Sequence, residues 1–369
     1  MTHTAKLFAR FTGPEIFLEQ GRLLFAVLHG FATAGLKIHL FDNLTDKDLD
    51  KYGKLVYSIK DLVLTKQVPG NPAEFLYLYD QPGDFLHKHA WPKTVQVRFD
   101  MFSPFWTSNP IIMPFPMHPL QSGITASDLE GLRSSPRRMR IFFSGETHHY
   151  GRVWVHHPKT KLPRLQIVNC IKERLGDDLV LTHDTSMLQM LKQEGYSRKC
   201  VITASSEVRI ESADWLGTLA QADFFLSPPG IVMPMCHNII EAMAAGTIPI
   251  TNYPEWLDPH LEHMKNCIAF DDGDDLICKL RSALAMEPSE IARMKANVID
   301  YYERCMRPQI FVDRVLASPD KNVPILYYTE RNVAKNASKL GRHSILVKGT
   351  TRPRESHWFQ RILASYLRA

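Results

Sequence analysis

The residues best suited to bind a charged ligand lie in one segment near the middle of the chain. Residues 227–230 read Ser-Pro-Pro-Gly, and residues 236–246 read Cys-His-Asn-Ile-Ile-Glu-Ala-Met-Ala-Ala-Gly. The apolar run 222–226 predicts a buried strand, and the apolar spacing after residue 238 predicts a short helix. The free N–H groups and the positive dipole end of a helix that follows such a loop bind anions. A diphosphate is the anion that we expect there.

Polar side chains around this helix narrow the choice of ligand. Glu241 lies one turn into the helix, away from its apolar stripe, and we expect it to point outward and to accept hydrogen bonds from a ribose diol. His237 and Asn238 lie at the helix start, and Pro229 and Gly230 shape the loop. A solvated acid at Glu241 and a capping or packing His237 are the alternatives. Ribose and diphosphate together predict a nucleotide-sugar.

The segment 223–254 resembles the donor site of the GT-B glycosyltransferases, which carry a Pro-x-Gly loop followed by Glu-Ala-x-x-Ala-Gly-x-x-Pro-Ile/Val. It is most similar to the exostosin-like variant. That variant has Ser and Arg where this chain has Cys236 and Asn238, and the Glu-x7-Glu motif of the retaining families would need an acid at Met233. The resemblance implies an α/β fold of two Rossmann-like domains whose parallel sheets face each other across a cleft.

A second loop is predicted to contact the same donor. Residues 139–146 are a predicted strand, and the loop after it contains Gly145, His149 and Arg152. Loops at the carboxyl ends of parallel strands line ligand clefts. Gly145 would let the backbone approach the ligand, and Arg152 could form charge-assisted bonds to phosphate oxygens. The alternative is a surface loop with a solvated arginine.

Three residues are candidates for the catalytic base. Asp80, Asp100 and His118 each follow a predicted strand of the first domain, at Phe75–Tyr79, 95–99 and 111–117. Each could remove the proton of an acceptor hydroxyl. A structural role is the alternative for each of them, and the sequence does not distinguish retention from inversion.

Length and composition favour two domains. The chain has 369 residues, of which 44% are hydrophobic. Residues 121–138 are rich in Ser, Gly, Asp, Arg and Pro, which predicts a linker. We therefore predict an acceptor-side domain over 1–133, a nucleotide-sugar-binding domain over 134–318, and a basic extension over 319–369.

An acidic run at 271–275, Asp-Asp-Gly-Asp-Asp, has two interpretations. The GT-A glycosyltransferases hold a divalent cation with an Asp-x-Asp motif. A turn with a helix N-cap accounts for the run more simply, because negative charge is favourable at a helix start. We therefore expect a metal-independent reaction without a cofactor, and the six scattered cysteines predict neither disulfides nor a zinc site.

Charge and hydropathy bear on partners and location. Ten Lys or Arg and only two Glu lie between Lys321 and the C-terminus. They are either solvated helix faces or a patch for an anionic membrane surface or an acidic acceptor. No nucleic-acid motif accompanies them, so nucleic acid is not expected. The chain has no predicted leader or membrane span, so we expect a cytoplasmic protein, with peripheral membrane contact through the tail as an option.

These observations predict a transferase of polysaccharide or related glycan synthesis. It would move a sugar from a nucleotide-sugar to a hydroxyl of a glycan or lipid-linked acceptor. A nucleotide-sugar epimerase of the same fold, a non-catalytic nucleotide-sugar-binding module, and an RNA or membrane-surface binder acting through the tail are the alternatives.

Overall fold

The structure is a computed structural model, and it describes residues 6–44, 49–99, 110–147, 161–230 and 234–329. Within these ranges the chain forms two compact units. The first contains the described residues up to 119 and those from 306 to 329, and the second contains residues 120–305.

The first unit is built on a parallel sheet. Its strands are β1 (Lys6–Arg10), β2 (Lys37–Phe41), β3 (Val63–Thr65), β4 (Phe75–Tyr79), β5 (Lys93–Arg98), β6 (Ile111–Ile112) and β13 (Asn322–Leu326), in the order β3-β2-β1-β4-β5-β13-β6. Its helices are α1 (Arg22–Thr33), α2 (Asp84–Lys88) and α10 (Ile310–Ala317). The strand order reverses between β1 and β4, and ligands of open α/β sheets bind at such a reversal.

Both faces of the first sheet are buried. In β1, Leu7 and Ala9 join an aliphatic core together with α1, whereas Phe8 joins an aromatic cluster on the opposite face. In that cluster the Phe8 ring stacks on Trp91 at a centroid distance of 5.5 Å. Burial on both faces explains why these strands are nearly continuous apolar runs.

The second unit has a six-stranded parallel sheet within the described residues. Its strands are β7 (Met139–Gly145), β8 (Leu179–Thr182), β9 (Ser197–Ala204), β10 (Ala222–Leu226), β11 (Ile248–Thr251) and β12 (Ile268–Ala269), in the order β12-β11-β10-β7-β9-β8. Its helices are α3 (Ala126–Ser134), α4 (Arg164–Arg174), α5 (Thr185–Gln193), α6 (Ser212–Leu219), α7 (His237–Ala244), α8 (Gly273–Ala285) and α9 (Pro288–Tyr301). The order reverses between β7 and β10.

The predicted fold class, two α/β units on parallel sheets, is confirmed. The facing of the two sheets across a cleft stays a prediction. None of the helices in the described part of the chain has both the length and the hydropathy that a membrane span needs.

The units differ in extent from the predicted domains 1–133, 134–318 and 319–369. The predicted linker contains α3, which starts with a capping box between Thr125 and Asp128 and belongs to the second unit. Strand β13 lies in the first sheet between β5 and β6, although its residues fall in the predicted extension. Such a return of the chain is a non-local pairing that local composition does not report.

Candidate functional site

The carboxyl ends of β7 and β10 bring together the central residues of the predicted donor site. Phe225 in β10 is the register partner of Phe142 in β7, so Ser227 and Ser144 follow two positions later on adjacent strands. The next strand continues this edge, because the Ser227 amide donates to the Ile250 carbonyl at 2.8 Å. The reversal of strand order therefore lies between the carboxyl ends of β7 and β10.

Tyr253, which follows β11, contacts the residue that follows β10. Its hydroxyl lies 2.9 Å from the Ser227 Oγ, and its side chain is completely buried. Burial raises the pKa of Tyr253 well above its usual range, and the nearby Arg164 guanidinium opposes that rise. The phenol is therefore neutral and acts as a hydrogen-bonding group at this edge of the sheet.

Arg164 is a buried cation at the same edge. It is the first residue of α4 and is only 8% exposed. A Cβ placed on Gly145 would lie 3.7 Å from the Arg164 Nη1 and 3.1 Å from the Phe143 ring. The guanidinium thus lies beside Gly145, whose missing side chain leaves room for the Phe143 ring and for Arg164. A buried guanidinium beside exposed backbone is suited to a phosphate group.

The start of α7 follows the carboxyl end of β10. Cys236 is the N-cap residue in an extended conformation, and its thiol is within electrostatic range of Tyr253. His237 and Asn238 are partly exposed at the first turn, as a ligand-binding role requires. Pro229 is buried, whereas Gly230 is partly exposed and its amide donates to the Pro234 carbonyl at 3.3 Å. This hydrogen bond holds Gly230 close to Pro234.

Glu241 does not point outward as predicted. Its side chain is 0% exposed, and its Oε2 accepts a hydrogen bond of 2.5 Å from the Trp215 indole Nε1. The prediction of outward orientation is wrong because α7 packs against α6 as well as against the sheet, so the face opposite its apolar stripe is also covered. A carboxylate in such a place requires a hydrogen-bond donor, and Trp215 supplies one.

Two of the predicted bases lie in the described part of the first unit. Asp80 follows β4 at the reversal of the first sheet, and its two oxygens accept from the backbone amides of Thr12, Gly13 and Gln81 at 2.7–3.0 Å. Burial raises the pKa of Asp80, and these amide hydrogen bonds oppose the rise. The carboxylate joins the loop after β1 to the end of β4.

His118 contacts a tyrosine. Its Nε2 lies 3.1 Å from the Tyr52 hydroxyl, and the two rings meet edge to face at 5.0 Å. Arg22, the first residue of α1, lies over the same tyrosine ring at 5.0 Å. The structure therefore places His118 in a polar and cationic environment of the first unit.

Three further predicted site residues, Asp100, His149 and Arg152, lie outside the described residues. Their roles stay predictions.

Sequence reasoning missed Arg164, Tyr253 and Trp215. A signal for Arg164 was present, because acidic residues are favoured in the first turn of a helix and a basic residue there is unfavourable unless an anion offsets it. Tyr253 and Trp215 had no comparable signal, since a buried aromatic residue near a strand is ordinary core.

The acidic run 271–275 forms a helix cap, as predicted. The Asp272 Oδ1 accepts from the Asp274 and Asp275 amides at 3.0 and 2.9 Å, and the Asp275 carboxylate accepts from the Asp271 amide at 3.0 Å. Asp274 pairs with Arg174 at 2.8 Å. Within the described ranges no group of three His, Cys, Asp or Glu side chains could hold a metal ion.

Replacing Asp272 with alanine is expected to reduce the free energy of unfolding by about 1 kcal/mol, because the first turn of α8 loses its cap. Asp272→Asn should keep most of the stability, and Asp271→Ala is the matched control with little effect. Urea denaturation with and without Mn²⁺ checks this. A stabilisation by Mn²⁺ that Asp272→Asn abolishes would contradict the capping role.

Comparisons with known proteins concern the fold. No protein-family model matches the chain, and no curated protein matches it. Among solved structures, HepE of Anabaena in complex with UDP is 11% identical with a TM-score of 0.43, covering 84% of this chain and 98% of HepE. AviGT4, a glycosyltransferase involved in avilamycin A biosynthesis, is 12% identical with a TM-score of 0.42, covering 85% and 96%. The N-terminal domain of Candida albicans trehalose-6-phosphate phosphatase is 8% identical with a TM-score of 0.41, covering 85% and 97%.

Proposed function

We propose that this protein is a glycosyltransferase that takes a sugar from a nucleotide-sugar and transfers it to a hydroxyl group of a glycan or lipid-linked acceptor. The observation that carries the proposal is the buried guanidinium of Arg164 beside Gly145, at the reversal of strand order between β7 and β10. An open α/β sheet binds its ligand at this place, and a guanidinium there can donate charge-assisted hydrogen bonds to phosphate oxygens.

The leaving group of the proposed reaction is a nucleoside diphosphate, and it explains why a cation and a helix N-terminus lie at this edge of the sheet. The bond between the anomeric carbon and the diphosphate oxygen breaks, and negative charge develops on the diphosphate. Arg164 and the positive dipole end at the start of α7 would stabilise that charge. We propose Gly145, Gly230, His237 and Asn238 as further donor contacts, with Pro229 fixing the loop.

The acceptor hydroxyl would attack the anomeric carbon and lose its proton to a base. Asp80, His118 and Asp100 stay our candidates. Asp80 has a pKa raised by burial, which makes it a stronger base than an exposed aspartate, although its oxygens already accept three backbone amides. His118 has a ring nitrogen next to the Tyr52 hydroxyl, which could relay a proton.

We also propose that the reaction is independent of a metal ion. The Asp271–Asp275 carboxylates support this, because Asp272 and Asp275 accept backbone amides and Asp274 pairs with Arg174. The charge of the diphosphate would then be met by Arg164 and by the helix end alone. The exostosin-like subtype and a role in polysaccharide synthesis belong to the same proposal, as do a cytoplasmic location and membrane contact through the basic tail.

A panel of UDP, GDP, ADP, dTDP and CMP is expected to contain at least one nucleotide that raises the melting temperature of the protein. A ligand at one hundred times its Kd stabilises the folded state by about 2.7 kcal/mol. Differential scanning fluorimetry followed by calorimetry checks this. If neither the nucleotides nor their sugar conjugates stabilise the protein, the proposed donor site is refuted.

An incubation without acceptor distinguishes the proposed glycosyltransferase from the alternative functions. Incubating the protein with the sugar conjugate of the nucleotide that binds, without any acceptor, distinguishes an epimerase, which would release a free epimer or glycal. Binding without turnover under every acceptor tested would favour the non-catalytic module.

A further inference from the structure

Trp215 and Glu241 form a buried pair between two helices of the second unit. The indole Nε1 donates to the Glu241 Oε2 at 2.5 Å, and the ring of Trp215 meets the edge of Phe225 at 6.2 Å and 85°. The hydrogen bond fixes the rotation of the indole ring. Phe225, in β10, packs against the ring from the side of the sheet. The orientation of Trp215 is therefore set on two sides.

The pair lies near the same edge of the sheet as the proposed diphosphate site. Helix α6 begins after the carboxyl end of β9, and α7 begins after the carboxyl end of β10, so both helices start at this edge. Trp215 is in the first turn of α6, and Glu241 is one turn into α7. Trp215 is partly exposed, whereas Glu241 has no exposed surface. Only the indole of this pair can meet a ligand.

We propose that Trp215 is the surface on which the nucleobase of the donor stacks, and that Glu241 is a positioning residue that acts through Trp215. This inference rests on the proposed function, because it assigns the base-binding part of the same donor site. An indole presents a large flat π-face, and stacking a base on an aromatic side chain is sequence-tolerant and favourable. Glu241 then contributes to affinity without touching the ribose.

The test compares two ligands that differ in the presence of a base. The tightest-binding nucleoside diphosphate of the panel carries a base, and inorganic pyrophosphate does not. Trp215→Leu is expected to weaken the nucleoside diphosphate about tenfold in calorimetry while leaving the affinity for pyrophosphate unchanged, since removal of one stacking partner has an effect of this size. Trp215→Phe, which keeps an aromatic ring, should lose less affinity for the nucleoside diphosphate.

Two further variants make the test specific. Glu241→Gln keeps an acceptor for the indole and should bind the nucleoside diphosphate like the parent, whereas Glu241→Leu should weaken it as Trp215→Leu does. Trp256, which is 2% exposed in the same unit, is the control for fluorescence. Quenching of tryptophan emission by the nucleotide should disappear in Trp215→Phe and persist in Trp256→Phe.

The outcomes separate this inference from the proposed function. Equal weakening of both ligands by Trp215→Leu, or an unchanged affinity for the nucleotide, overturns the role of Trp215. A 2′-deoxynucleotide that binds more weakly than its ribonucleotide in the parent but equally in Glu241→Gln would show that Glu241 contacts the ribose, and would also overturn it. If the parent binds no nucleotide, the donor site itself is refuted.

Discussion

Replacing Arg164 with methionine is expected to weaken nucleoside diphosphate and pyrophosphate binding about a hundredfold, which corresponds to about 2.8 kcal/mol. Arg164 as a residue is 8% exposed, so a charge-assisted bond from its guanidinium to phosphate is little screened by solvent. Methionine keeps much of the side-chain volume and removes the donors. The affinity of Arg164→Lys should lie between those of the parent and Arg164→Met, because lysine keeps the charge and loses the planar guanidinium. Calorimetry with both ligands measures these losses.

The matched control is Arg209→Met. Arg209 belongs to the same unit, its side chain is 84% exposed, and it pairs with Glu211. Its removal should leave both affinities unchanged. The melting temperatures of the variants without ligand show whether the protein still folds. A folded Arg164→Met protein that binds pyrophosphate like the parent contradicts the proposed diphosphate site.

The strands of the second unit could be predicted because each is a local apolar run. Residues 139–146 were predicted as a strand, and the structure has β7 at Met139–Gly145 with nearly every residue buried. The apolar run at 54–59 favours a strand by the same reasoning, but no strand forms there. Residues Gly53–Ser58 form a 3₁₀ helix, because only Gly53 and Val56 face the core, at a spacing of three. A short apolar run does not distinguish these two periodicities.

Only the backbone part of the candidate site could be predicted from the sequence. The strand-loop-helix around α7 follows from the local sequence, and the structure has that order. The inward orientation of Glu241 could not be predicted, because it depends on α6, which packs on α7 through contacts distant in sequence. The position of Arg164 beside Gly145 is non-local in the same way, since eighteen residues separate them in the sequence. Local pattern therefore predicts the scaffold, and tertiary packing selects the side chains.

Loss of the Arg137 side chain is expected to destabilise the second unit strongly, because Arg137 joins the ends of α6 and α7. Its guanidinium donates to the carbonyls of Ala220 and Ala222 around the end of α6, and to the Gly246 carbonyl after α7 at 2.9 Å. Burial lowers the pKa of Arg137 to about 10, so it is still charged at pH 7. Arg137→Met leaves these carbonyls without their donor, and we expect a loss of about 3 kcal/mol in the free energy of unfolding.

The neighbouring Arg138 is the control. Its side chain makes one long hydrogen bond of 3.3 Å to the Glu194 carbonyl, and its methionine variant should change the free energy of unfolding by less than about 0.5 kcal/mol. Urea denaturation at pH 7 measures both. Because α6 carries Trp215 and α7 begins at the proposed diphosphate site, the Arg137 variant should lose nucleotide affinity in step with its stability, whereas Arg164→Met should lose affinity alone. Equal stability of the two methionine variants at 137 and 138 would show that the helix ends are held by other contacts.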